Sequence, residues 1–417
     1  MLSAGVTSGL GLLYWVLAAH FYPPRVVGLN SELISAMLFL SGVAQLNLAG
    51  AFTRFIPRAA QATGRLIGYS YLATTLLALV VAGGFLLGLG VWTPNLGFLR
   101  SNPLFGLWFV VATAAWGIFA LQDMALTGMR QATWVPIENT TFGVVKIVLL
   151  IAVAGLSPTF GIFVSWTIPT VVSLVPVNML IFLYLLRRHR RVSSPETVPI
   201  GPRQVVRFVA ADYVGSLFAL GGSMLLPIIV TFELGAEATA YFYLAWLITY
   251  SLQLASHSMM ASLTVEGAMD YSGFATLAQR ALKNTARLLV PAVAVLLFAA
   301  PYILRLFGNA YAGQGSMLLR LLAIAALPNL VNLLYISAAR VRRRTGRVLI
   351  VEGAICLQML GLGSVLLHWY GITGIGVAAV ISQSTVAAAV LLTDLRPLVG
   401  VILRPRPAFV KEVISWK

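Results

Sequence analysis

Charged side chains inside long apolar runs are the residues of this sequence that could do chemistry, because a buried charge is retained only where something compensates its cost. Lys146 lies deep in one run, and Glu138 precedes it by about two helical turns on the same face. Asp212 begins another run. That spacing is too long for an ion pair, so we expect Glu138 and Lys146 to line one cavity. Solvation at a helix end is the alternative for Glu138 and Asp212.

A polar stripe marks one later segment. Its residues are spaced by seven, three and four positions, and they are Tyr243, Tyr250, Gln253 and His257. Aromatic faces and amides suit a sugar ring, whereas hydrogen bonds between packed helices would explain the stripe equally well. Asn329 and Asn332 leave the same two interpretations open.

Catalytic and metal-binding patterns are missing from the sequence. The four histidines lack metal-ligand spacing, and there is neither a phosphate-binding glycine loop nor a pair of carboxylates in a loop. The single cysteine, Cys356, lies in an apolar run and has no partner for a disulfide. We therefore expect no enzyme activity, no cofactor and no metal.

Composition determines which elements must position these residues. The chain is 59% hydrophobic and 10% charged, with a mean hydropathy of +0.91, which leaves too little polar surface for a water-soluble globule. A spanning helix needs about 20 apolar residues. Twelve such runs are present, near residues 1–19, 33–52, 69–91, 104–122, 140–155, 160–186, 208–231, 239–259, 288–307, 317–337, 348–368 and 372–393. The lipid bilayer is thus the main partner that composition predicts.

The basic residues predict an orientation for the twelve runs. Of the 28 Lys and Arg residues, 23 lie on the side that holds both termini, four lie on the other side, and Lys146 lies inside a run. Such asymmetry places both termini in the cytoplasm. The net charge of +16 is therefore a topology feature, and we expect no nucleic-acid partner.

Two six-run halves are predicted. The basic, proline-containing stretch 187–204 resembles a linker, giving an N-terminal bundle (1–186), a C-terminal bundle (205–393) and a cytoplasmic tail (394–417). Arg130 precedes Glu138 by eight residues, as Arg344 precedes Glu352, and Gly28 resembles Gly235 in its local sequence. Breaks in the runs are predicted at Gly221, Gly222 and Pro227, at Pro169 and Pro176, and at Pro328.

Two stretches resemble a known family. Residues 301–350, PYILRLFGNAYAGQGSMLLRLLAIAALPNLVNLLYISAARVRRRTGRVLI, are similar to the second half of polysaccharide and O-antigen repeat-unit flippases of the multidrug/oligosaccharidyl-lipid/polysaccharide (MOP) superfamily. Residues 21–58, ending in Arg54-Phe-x-Pro57-Arg58, are similar to that family's opening hairpin. The resemblance implies an all-α membrane protein, a V-shaped MATE-like pair of six-helix bundles.

The function implied by this resemblance is transport across the cell inner (plasma) membrane. A polyprenyl-pyrophosphate-linked oligosaccharide would move from the inner to the outer leaflet, with other polysaccharide-assembly proteins as further partners. Arg54 and Arg58 are the expected head-group residues at the cytoplasmic mouth, and Lys146 lies deeper.

Four other functions stay open. A MATE-type drug or cation antiporter should carry acids inside its helices, and only Asp212 is expected to lie there. A lipid II flippase would have additional helices. A membrane-embedded glycosyltransferase or polymerase should display a large external loop, whereas a structural scaffold would not need polar residues inside its helices.

Overall fold

The computed structural model describes residues 2–192, 202–269 and 273–393, and every regular element there is helical. The first eight α-helices are α1 (Leu2–Phe21), α2 (Pro24–Ala44), α3 (Leu48–Ala59), α4 (Thr63–Leu87), α5 (Leu89–Trp92), α6 (Phe98–Ser101), α7 (Pro103–Gly128) and α8 (Trp134–Val153). They are followed by α9 (Gly161–Met179), α10 (Leu186–Val192), α11 (Pro202–Met224), α12 (Leu226–Leu234), α13 (Ala236–Met269), α14 (Phe274–Arg305), α15 (Asn309–Val341), α16 (Thr345–Tyr370) and α17 (Ile372–Leu392).

Ten spans of the described residues are long and apolar enough to cross a membrane. α1 and α13, of 20 and 34 residues, contain the first and eighth apolar runs. Each of the twelve runs thus coincides, wholly or for most of its length, with helix, and the predicted all-helical membrane fold class is confirmed. The orientation across the bilayer stays a prediction.

The second run has different bounds from those predicted. α2 starts at Pro24, preceded by the extended residue Pro23, and it ends at Ala44. Leu46 and Asn47 then adopt positive φ angles of 51° and 56°, which an α-helix cannot contain. A separate amphipathic helix, α3, follows.

Only one group of predicted helix breaks is present. The seventh run divides at Leu225 into α11 and α12, between the Gly221-Gly222 pair and Pro227. α15 continues through Pro328, so the break predicted there is wrong. α9 also continues through its prolines, although a six-residue π-helical turn, Leu180–Leu185, follows it directly.

The chain forms two compact units, Met1–Ala240 and Tyr241–Lys417. Within the first, α2 is mostly buried and packs against α4, α7, α9, α11 and α12. Within the second, α15 packs against α14, α16 and α17. The predicted linker and tail include residues 193–201 and 394–417, which lie outside the described part, so the boundary at the linker stays a prediction.

A turn of the same geometry follows α7 in the first unit and α15 in the second. Arg130 and Arg343 have φ angles of 61° and 56°. The amide of the next residue donates to a carbonyl five positions back, at 2.9 and 2.8 Å respectively. Glu138 and Glu352 follow on the next helix, and both are buried. The turn makes Arg343, not Arg344, the counterpart of Arg130, so the predicted similarity of Arg130 with Arg344 is out of register by one residue.

The sequence similarity between Gly28 and Gly235 is not matched by a shared backbone geometry. Gly235, between α12 and α13, has a φ of 85°, whereas Gly28 lies inside the regular helix α2. Gly28 instead allows the backbone near Ala236 to pack closely against α2. A Cβ added at Gly28 would overlap the carbonyl of Ala236 and lie 3.0 Å from the backbone nitrogen of Ala240.

Replacing Gly28 with alanine should therefore destabilise the protein by about 1–3 kcal/mol, because backbone atoms must move to make room. Thermal unfolding in detergent measures the effect. Gly68→Ala is the matched control, since no atom lies within 4 Å of a Cβ added to Gly68 in α4. Equal melting temperatures for Gly28→Ala and the unmodified protein would contradict the close approach.

Candidate functional site

The buried face of α8 carries both predicted charged residues. Glu138, Phe142, Lys146 and Leu150 follow at intervals of four and are all buried, so they form one stripe along the helix. Glu138 is therefore a buried group and not a solvated helix end. The two charged side chains share a face, but each has its own set of neighbours.

Lys146 is enclosed by aromatic rings. Its Nζ atom lies 3.8 Å from the ring centroid of Trp166, 4.4 Å from that of Tyr14 and 5.2 Å from that of Phe142. These distances are typical of cation–π contacts. The side chain is 4% exposed, and in the described part of the chain no carboxylate pairs with it. Among the described residues, Lys146 is thus a buried cation without an opposing charge.

Further side chains hold the rings of this aromatic cage in place. The Tyr14 hydroxyl donates to the carbonyl of Ile162 at 2.8 Å and lies 2.9 Å from the Ser165 hydroxyl. Trp15 and Trp116 each pack within 6.1 Å of Trp166, measured between ring centroids. Because Trp116 and Trp166 are only half-buried, one side of the cage reaches the surface of the unit.

Glu138 belongs to a network of amide side chains. Gln122 on α7 donates from Nε2 to Glu138 Oε1. The Gln122 carbonyl oxygen accepts a hydrogen bond of 3.0 Å from Asn178, beyond the second proline of α9. The second Glu138 oxygen, Oε2, is buried and accepts no hydrogen bond from a described residue.

A second acid–amide pair lies beside the first. Asn139 donates to Asp123 Oδ2 at 3.0 Å, so Gln122–Glu138 and Asp123–Asn139 are consecutive contacts between α7 and α8. Tyr71 on α4 lies within electrostatic reach of both carboxylates. The network therefore places two carboxylates close together with amide donors and without a basic partner among the described residues.

The expectation that only Asp212 lies inside a helix as an acid is wrong. Asp123, Glu138 and the fully buried Glu32 all lie within helices of the first unit. All three lie just outside the predicted runs 33–52, 104–122 and 140–155. Asp212 itself lies on α11, but its side chain is outside the part that the structure describes.

Arg54 and Arg58 lie one turn apart on the exposed face of α3. The opposite face of this helix packs into the core of the unit. The Arg54 guanidinium lies 5.7 Å from the Phe55 ring centroid. The structure therefore presents both arginines at the surface and does not bring them to Lys146.

The second unit contains the predicted polar stripe on α13. Trp246 stacks on Tyr250 at 5.0 Å and contacts Tyr243 at 5.8 Å, between ring centroids. Gln253 accepts a hydrogen bond of 3.3 Å from Asn329 on α15. Tyr243 is buried whereas Tyr250 is exposed, so the stripe runs from the interior of the unit to its surface.

Two other predicted residues do not join this group. Asn332 donates to the backbone and side-chain oxygens of Gln383 on α17, at 3.1 and 2.8 Å, which is a helix-packing contact. His257 is exposed. Of the two interpretations left open for Asn332, the structure therefore shows the hydrogen bond between packed helices.

The residues that sequence reasoning missed had weak sequence signals. Tyr14 and Trp166 are distant from Lys146 along the chain, so only the fold brings the rings to the ammonium. Gln122-Asp123 and Glu138-Asn139 do share a pattern, since each is an amide and an acid side by side. That pattern could have suggested a contact between the two helices.

Solved structures with similar folds are transporters. A multidrug resistance MATE family transporter of the MOP superfamily matches in its inward-facing conformation with 16% identity and a TM-score of 0.69, over 96% of this chain and 94% of that one. The outward-facing conformation matches with 15% identity and the same TM-score and coverage.

A third match is a MOP superfamily transporter from Pyrococcus furiosus Vc1 (DSM3638), whose binding pocket has a reverse polarity that suggests a different function. It is 14% identical, with a TM-score of 0.66 over 97% of this chain and 95% of that one. No family model and no curated protein matches the sequence. The chain is thus a multi-pass membrane protein with the fold of MATE transporters of the MOP superfamily.

Proposed function

We propose that this protein is an alternating-access transporter that moves an anionic, polyprenyl-pyrophosphate-linked oligosaccharide from the inner to the outer leaflet of the plasma membrane. The observation that carries the proposal is Lys146, a buried cation with aromatic neighbours and no acidic partner among the described residues. An intramembrane charge of this kind marks a transport pathway more often than a packing contact.

An anion is the ligand that Lys146 fits best. A phosphate oxygen that replaced the Trp166 ring above the ammonium would exchange a cation–π contact for a charge-assisted hydrogen bond, which is stronger. The half-buried rings of Trp116 and Trp166 could then pack against the sugar next to the phosphate. The polyprenyl chain needs no polar site, because it can remain in the bilayer.

Other residues extend the proposed pathway within each unit. Arg54 and Arg58, exposed on one face of α3, would make the first contact with the pyrophosphate at the cytoplasmic surface. In the second unit, Tyr250, Trp246 and Gln253 present aromatic faces and an amide, which suit a glycan. Asp212 and His257 remain candidates for the same pathway. Polysaccharide-assembly proteins would supply and receive the substrate.

A MATE-type drug or cation antiporter is the second candidate. The buried acids Glu32 and Glu138 and the half-buried Asp123 favour it, because such acids attract cationic substrates. The uncompensated cation at Lys146 favours the anionic substrate instead.

Depletion of the protein distinguishes the two functions. If the chain exports a lipid-linked glycan, depleted cells should accumulate undelivered repeat units on the cytoplasmic leaflet, measured by analysis of lipid-linked glycans on each leaflet. Unaltered glycans together with raised drug sensitivity would support the antiporter and contradict the flippase.

Replacing Lys146 with methionine should lower glycan export at least ~10-fold, equivalent to about 1.4 kcal/mol, while membrane expression stays normal. Lys146→Arg keeps the positive charge and should retain more export. Lys283→Met is the matched control, because Lys283 on α14 is exposed and outside the proposed pathway. Wild-type export by Lys146→Met would remove Lys146 from the site.

Lys146→Met should also melt at a higher temperature than the unmodified protein. Replacing a buried charge with an apolar side chain often stabilises a protein by about 1–4 kcal/mol, whereas a cation–π contact contributes only about 0.5–2 kcal/mol. Thermal unfolding in detergent tests this expectation. A lower melting temperature for Lys146→Met, with Lys283→Met unchanged, would show that the ammonium holds the cage together and has a structural role.

A further inference from the structure

A cavity of about 240 Å³ opens between α16 and α17 of the second unit, and the proposed transport pathway does not use it. Its walls include Val351 on α16 and Val386 and Val390 on α17, and Tyr335 of α15 also lines it. All four belong to one buried apolar cluster of the unit. The walls of the cavity are therefore part of the packed core.

Close packing at one end of this helix pair does not extend to the other end. Gly374 lies directly against α16 near the shared turn, where an added Cβ would overlap the carbonyl oxygen of Leu366. The cavity lies at the opposite end, where Ala354 and Ala389 line it with single methyl groups. Ala389 and Ile350 are exposed, so the cavity is a groove that opens on the surface of the unit.

The depth of the groove corresponds to one leaflet of a membrane. Arg347, in the first turn of α16, and Gln358 both line it, and the helix rises about 16 Å between them. The hydrocarbon core of a bilayer is about 30 Å thick, so the groove reaches roughly to its middle. There the Thr385 hydroxyl donates to Gln358 Oε1 at 2.7 Å, and this hydrogen bond marks the inner end.

The outer end of the groove is positively charged. Arg347 lines it, Arg343 and Arg344 precede it in the turn between α15 and α16, and all three are exposed. Glu352 is the one acid among the described residues of α15, α16 and α17, and it pairs with Arg340 at 3.2 Å. The described residues at this end therefore favour an anion.

We propose that this groove binds one anionic phospholipid of the surrounding bilayer. The phosphate contacts Arg347, because a guanidinium suits phosphate oxygens, and one acyl chain lies between α16 and α17 as far as Gln358. The bound lipid joins the two helices where their side chains leave a gap, and so stabilises the second unit. The site needs no transported substrate and is independent of the proposed function.

A phospholipid matches the groove better than a drug or a sugar does. The cavity of about 240 Å³ is smaller than the ~300–1,000 Å³ of pockets for drug-sized molecules, and its valine and alanine side chains offer no hydrogen bonds to a glycan. A phospholipid carries an anion at one end of an apolar chain, which fits both ends of the groove. Basic pockets between membrane helices bind anionic head groups for the same reason.

Lipid binding to the whole, delipidated protein in detergent tests the proposal. Titration with dioleoylphosphatidylglycerol or with dioleoylphosphatidylcholine, followed by native mass spectrometry, gives the affinity for each lipid. The acyl chains are identical, so the difference reports the head group. We expect phosphatidylglycerol to bind at least ~10-fold more tightly and to raise the melting temperature more than phosphatidylcholine does.

Two variants with matched controls locate the binding in the groove. Arg347→Gln should lose the preference for phosphatidylglycerol, whereas Arg280→Gln, which removes an exposed arginine of α14, should keep it. Ala389→Phe fills the groove and should weaken binding of phosphatidylglycerol at least ~10-fold. Ala388→Phe adds the same ring at an exposed position of α17 outside the groove and should bind like the unmodified protein.

Photocrosslinking in cell membranes identifies the occupant of the groove. Ile350→p-benzoylphenylalanine places a reactive group at the groove, and Leu357→p-benzoylphenylalanine places one at an exposed position of α16 outside it. Lipid adducts at position 350 should be enriched in anionic phospholipid relative to those at position 357.

Four results would overturn the proposal. They are equal affinities of the unmodified protein for the two lipids, an Arg347→Gln variant that keeps the full preference, equal lipid adducts at positions 350 and 357, and a crosslink from position 350 to residues 394–417 or to a second copy of the chain. If Arg347→Gln or Ala389→Phe fails to fold, the titration of the unmodified protein and the crosslinks still decide. Neither measurement involves a glycan, so both are independent of the test of the proposed function.

Discussion

Hydrocarbon cannot accept or donate hydrogen bonds, and most of this structure follows from that constraint. Backbone groups are satisfied within helices, and polar side chains find partners inside each unit. Asn30 makes one hydrogen bond within α2 and two to the region at the start of α9, while Asn332 joins α15 to α17 through Gln383. These hydrogen bonds help to fix how the helices pack.

The same constraint makes the unsatisfied residues informative. Lys146 has aromatic faces in place of a carboxylate, and Glu138 pairs only one of its oxygens. Each arrangement costs stability that the fold could recover with an apolar side chain. Stability therefore does not explain why these charges are present.

Apolar run length was sufficient to predict most of the helices, because it follows directly from the thickness of a membrane. The internal acids could not be predicted in the same way. Asn30, Ser31 and Glu32 together have the composition of a loop. Only the folded structure, in which they are buried, shows that they belong to the helix α2. Lys146 was identifiable as a lone charge, but its cage depends on rings from α1 and α9 that periodicity along α8 cannot locate.

The turn shared by the two units has a consequence for how such a chain could have evolved. Arg130 and Arg343 occupy left-handed positions that glycine would adopt more easily, so at both turns a positive charge stands where backbone geometry alone favours glycine. An even number of crossings returns a polypeptide to its starting side. A gene segment encoding six helices could therefore be duplicated in tandem, and the second copy would enter the membrane in the same orientation as the first. Its basic turns would then keep their topogenic role without any reversal of charge.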